Sequence, residues 1–129
     1  MPKALWFKLA FILILLLGLV IRLIPTQNNN FYFTMDQGDE AVRARELWFR
    51  HQIPLTGQET SLPGIYHGPF WIWYIAIGYF LFPGHPFGAL FMLMLLKLSV
   101  IGILMWKLKD YISPQLSLLV GFSLLWFWP

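Results

Sequence analysis

The segment MDQGDEAVRARELW, residues 35–48, gathers Asp36, Asp39, Glu40 and Glu46 with Arg43 and Arg45, in a chain where only 12% of residues are charged. Carboxylates this dense support more than one chemistry. The structural use treats Asp36, three residues before Asp39, as a helix N-cap with an acidic first turn; Asp39–Arg43 and Glu46–Arg50 are then i,i+4 pairs worth about 0.2–0.5 kcal/mol each. The catalytic use is general-base chemistry. A partly desolvated carboxylate at the mouth of a helix bundle has its pKa raised, toward the range where it takes a proton from a hydroxyl or amine. A divalent cation is a third use, but two acids three apart on a helix are a weak ligand set.

A second group lies in YHGPFWIWY, residues 66–74. Trp71, Trp73 and Tyr74 suit an aromatic belt at a membrane interface, with His67 as a hydrated loop residue. The same residues suit a lipid-linked phosphate: His67 donates to the anion while the aromatics flank the lipid chain or the sugar. Lys97 stands near the middle of an apolar run. A cation there faces a bundle interior or a polar cavity, or snorkels from a tilted helix.

The elements that position these residues are membrane elements. Of the 129 residues 58% are hydrophobic and 19% aromatic, and twelve Phe, seven Trp and five Tyr are too many to hide in one small core. The net charge of +3 is scattered among apolar runs and gives no nucleic-acid surface. With no cysteine, the disulfide, zinc-thiolate and thiol-nucleophile classes drop out. A first span is expected over about 5–24; no small-x-small site follows it, which favours an uncleaved anchor. A polar loop covers about 25–68 and contains an amphipathic interfacial helix over 38–50, with Ala41, Ala44, Leu47 and Trp48 on its apolar side. Further spans are expected at about 69–82, 87–106 and 115–129. The last is too short to cross, which predicts the N-terminal part of a larger polytopic protein or an interrupted frame. Orientation is not set by charge. Lys3 and Lys8 favour a cytoplasmic N-terminus and an external polar loop, yet three spans would then put Lys107 and Lys109 outside as well.

A first span, an acidic loop with a short helix, then a proline-initiated aromatic helix resembles the start of the GT-C glycosyltransferases. Among these are the aminoarabinose transferases of lipid A, the protein O-mannosyltransferases and the RgtA/B/C/D-like bacterial enzymes. Asp36 takes the place of the family aspartate, and Ala41, Ala44, Arg45, Glu46 and Leu47 fall in the matching places. Gln37 replaces the family glutamate, and Glu40 takes over part of its role; an alternative register uses Asp39 and Glu40. The family's Lys-Pro-Pro-Leu-x-x-Trp corresponds to HGPFWIW, with His67 for the lysine and Gly68 for the first proline, and with Pro69 and Trp73 retained.

The resemblance implies an all-α polytopic membrane protein of the bacterial inner or plasma membrane, with the acidic loop extracytoplasmic. It implies inverting transfer of a sugar from a polyprenyl-phosphate donor to a glycan, lipid or protein acceptor, needing no cofactor and no obligatory divalent metal. Asp36 is the implied general base, assisted by Glu40 and Asp39. His67, with Arg43 or Arg45, balances the phosphate; Trp71, Trp73 and Lys97 complete the implied binding set. Two other classes remain open: a membrane scaffold or accessory subunit, in which Asp36 is only a cap, and a transporter of lipid-linked sugars with Lys97 on its pathway.

Overall fold

The computed structural model describes residues 3–31 and 33–126, and the expectation of an all-α chain is met there. Five α-helices occur among them: α1 (Lys3–Leu23), α2 (Met35–Arg50), α3 (Phe70–Leu81), α4 (Phe87–Leu108) and α5 (Pro114–Trp126). A 3-10 segment, Ile24–Asn29, follows α1. The end of the expected fourth span, 127–129, lies outside the described residues.

The chain forms two compact units, residues 28–93 and residues 1–27 with 94–129. In the second of these, Phe7, Ile101, Met105, Leu118 and Leu125 form the core. Small residues permit its close contacts: a Cβ on Gly18 would meet the Leu125 methyls, and one on Gly121 would meet Met105. Ser117 is buried and donates its hydroxyl to the Met105 carbonyl. Arg22 donates to the carbonyls of Gly18 (3.3 Å) and Leu125 (2.9 Å), so it ties α1 to the end of α5.

Two stretches, Leu5–Asn29 and Phe87–Leu108, are long and apolar enough to cross a membrane. Only 11% and 33% of their most apolar windows are buried by the protein. Leucines such as Leu13, which is 66% exposed, need covering, and a hydrocarbon layer about 30 Å thick matches these helices in length.

In residues 28–93 the polar helix comes first. Thr34 caps α2: its hydroxyl accepts from the Gln37 amide at 3.5 Å, and the Gln37 side chain accepts from the Thr34 amide at 3.3 Å. This reciprocal capping box starts α2 at Met35, three residues before the expected start. It also removes Asp36 from the cap position. Asp36 is instead an acid in the first turn, where the helix dipole favours it.

Twelve residues make α3 about 18 Å long, well short of the roughly 30 Å hydrocarbon core. It lies beside α2, and both run in the same direction. Glu40 meets Trp71 at the start of α3, Ala41 and Ala44 pack with Ile72, Ile75, Ala76 and Tyr79, and Trp48 covers Gly84 beyond its end. Gly84 has φ +65°, and its missing side chain leaves the space that the Trp48 ring fills. α3 then meets α4 where Gly78 and Gly88 bring their backbones together, and the Tyr74 hydroxyl donates to the Met92 carbonyl at 2.8 Å.

Candidate functional site

The start of α2 and the chain leading into α3 bring five of the sequence-selected residues together. Asp36 is exposed on the first turn of α2, and Glu40 follows four residues later on the same face. Burial pushes the Glu40 carboxyl above its ordinary value. A side-chain hydrogen bond from Trp71 opposes that rise, since indole N–H only donates and so favours the carboxylate. The charges of Asp36 and Asp39 add to the rise, and His67 counters it. Glu40 therefore sits among Asp36 and Asp39 of its own helix and His67 and Trp71 of the stretch that enters α3.

His67 is placed by a backbone ladder rather than by a free loop. The stretch 51–68, rich in Gly and Pro, folds back on itself: Gly57 N–H donates to the His67 carbonyl at 2.8 Å, and His67 N–H to the Gln58 carbonyl at 2.9 Å. Glu59 and Tyr66 form an antiparallel bridge, and the turn closes with Thr60 N–H on the Ile65 carbonyl at 2.8 Å. Gly64, with φ +81°, supplies the left-handed residue of that turn, and the Glu59 carboxylate accepts its N–H at 2.8 Å.

The arginines hold backbone. Arg43 donates from Nε to Asp39 at 2.9 Å and from a terminal nitrogen to the Gly57 carbonyl at 3.4 Å. Arg45 donates to the Gly84 carbonyl at 3.1 Å. Both bonds bring distant chain onto α2, a use the sequence reading did not give them. The i,i+4 pairs it did expect are present, Asp39–Arg43 at 2.9 Å and Glu46–Arg50 at 3.6 Å.

The aromatic residues divide. Trp71 stacks on Tyr74, with ring centroids 5.8 Å apart and 20° between planes, and turns its N–H toward Glu40. Trp73 donates its N–H to the Pro54 carbonyl at 2.9 Å. It also lines an open apolar groove of about 330 Å³ with Leu47, Ile53, Ala76, Ile77 and Phe80. Lys97 is in the other unit, where Arg22 is a charged neighbour. Among the described residues no group of three or more His, Cys, Asp or Glu side chains could hold a metal ion.

Sequence reasoning missed Gly57 and missed Gly84 as the partner of Trp48. A glycine in a polar loop signals a turn, and nothing local shows that another backbone lies against it. No family model matches the chain, and no curated protein or solved structure matches it either.

Proposed function

We propose that residues 28–86 form the extracytoplasmic catalytic loop of a polytopic bacterial inner-membrane glycosyltransferase of GT-C type, acting on a polyprenyl-phosphate-linked sugar. The observation that carries this reading is the meeting of Asp36 and Glu40 on α2 with His67 and Trp71, about thirty residues further along the chain at the entry to α3. In the proposed reaction the Asp36 carboxylate takes the proton of the acceptor hydroxyl or amine. The acceptor heteroatom bonds to the anomeric carbon as the bond from that carbon to the phosphate oxygen breaks. The electron pair leaves on the polyprenyl phosphate, whose charge His67 meets as a donor. Glu40, one turn along, is a second proton acceptor with its pKa displaced upward by burial. The apolar groove beside Trp73 is sized for a few isoprene units rather than for a whole chain.

The test is Asp36→Asn introduced into the chromosomal gene, with envelope glycans and glycolipids profiled by mass spectrometry. Loss of one sugar-modified species by a factor on the order of 10²–10⁴ is expected, the size of a general-base contribution. An unchanged profile, with the variant chain present in the membrane at the parent level, would leave Asp36 a first-turn acid of a scaffold.

A further inference from the structure

We propose that Arg43 and Gly57 are positioning residues for His67, acting through a continuous brace from α2 to the imidazole-bearing strand of the loop. This rests on the reading of His67 as the residue that meets the donor phosphate. The brace has three links. Asp39 accepts from Arg43 Nε at 2.9 Å and fixes the guanidinium over the next turn of α2. The same guanidinium donates to the Gly57 carbonyl at 3.4 Å. Gly57 in turn donates its N–H to the His67 carbonyl at 2.8 Å. One peptide unit on, the Gln58 carbonyl accepts from His67 N–H at 2.9 Å, so both backbone polar groups of His67 are held by the Gly57–Gln58 pair.

Gly57 is the position with no freedom. A Cβ there would stand 2.8 Å from the Gly68 carbonyl oxygen and 2.9 Å from that of His67. These are backbone atoms, so the peptides on either side of Gly68 would have to move. Gly68, next to His67, has open space where its Cβ would point. Two glycines in one loop thus make opposite demands, and that contrast isolates the position of His67 from the stability of the loop.

The brace also separates two roles for Arg43. If its charge met the phosphate directly, removing Asp39 would free the guanidinium and tighten phosphate binding, and lysine would serve in its place. If Arg43 acts through His67, removing Asp39 loosens binding, and lysine fails because an ammonium lacks the planar fork that holds Asp39 and the Gly57 carbonyl together.

The experiment uses the full chain in lipid nanodiscs with 15N-labelled histidine. The chain has three histidines, and the resonance lost in His67→Gln identifies His67. Decaprenyl phosphate is titrated in and its Kd read from that resonance. Gly57→Ala, Asp39→Ala and Arg43→Lys are each expected to shift the His67 resonance before any lipid is added, and to weaken binding by about tenfold or more, ~1.4 kcal/mol. Gly68→Ala is expected to bind like the parent. Tighter binding by Asp39→Ala, or parental binding by Arg43→Lys, would overturn the brace in favour of a direct charge role. A His67 resonance unmoved in all three variants would overturn it too. If Gly57→Ala does not fold, the Asp39 and Arg43 variants still decide. If the parent does not bind decaprenyl phosphate, the transferase reading fails, and the lipid-free shifts judge the brace by themselves.

Discussion

Glu40 is held between opposed influences, and its titration is where they become measurable. Burial raises its pKa, the Asp36 and Asp39 charges raise it further, and Trp71 and His67 lower it. An acid whose folded pKa exceeds its unfolded value binds its proton more tightly when folded. Its contribution to stability is complete below the ordinary carboxyl value of 4.5 and is lost as pH rises through the elevated folded value. Thermal melts in detergent from pH about 4 to 7 should therefore fall with pH less steeply for Glu40→Gln than for the parent. Trp71→Phe keeps a ring against Tyr74 and deletes only the N–H. It should move the Glu40 titration to higher pH, read by infrared difference spectroscopy of the carboxyl band; a shift to lower pH would show that the indole does not favour the carboxylate. At this scale the sequence was informative about residue type. Carboxylates, His67 and Trp71 could be chosen by their chemistry, because composition and local spacing mark them. The carbonyl partners of Arg43 and Arg45 could not, because they lie 14 and 39 residues away and any residue has a carbonyl.

Caps and crossings decide the elements. Thr34→Ala should cost about 1 kcal/mol, with less helix by circular dichroism, because it leaves the first turn of α2 without its side-chain acceptor. Gly78→Ala or Gly88→Ala should be worse. Each added Cβ meets backbone of the other helix, so α3 and α4 must separate, at roughly 1–3 kcal/mol or more, read as a lower midpoint of thermal aggregation. Valine in place of Leu13 makes a suitable control, since that side chain is largely exposed. The helices themselves were legible from long apolar runs and from the apolar stripe Ala41, Ala44, Leu47 and Trp48. The start of α2 was not, because Asp36 and Thr34 are both good caps and only the Gln37 side chain, closing back on Thr34, selects between them. The pairing of α3 with α2 was not legible either. A helix of the composition FWIWYIAIGYFL is apolar on every side, so no face announces its partner.

For the whole molecule, the lack of cysteine makes single-site labelling straightforward. The grip of α2 on the turn after α3 has a consequence for the path of the chain. Arg45 and Trp48 hold Gly84, while Glu40 meets Trp71 at the opposite end of α3. The charged face of α2, with Asp39, Arg43, Glu46 and Arg50, is too polar to enter hydrocarbon, and α3 is tied to it at both ends. On the proposed membrane reading, residues 83–86 are expected on the same side as the polar loop, and α3 is expected to add no crossing. The parity of the expected count then changes from odd to even by residue 107. Lys107 and Lys109 are then expected on the side of Lys3 and Lys8, in accord with the bias of short cytoplasmic loops toward Lys and Arg. An impermeant maleimide should label Thr56→Cys and Pro83→Cys in intact spheroplasts and reach Tyr111→Cys only after lysis. Labelling of Tyr111→Cys in intact cells, with Pro83→Cys protected, would restore α3 as a crossing.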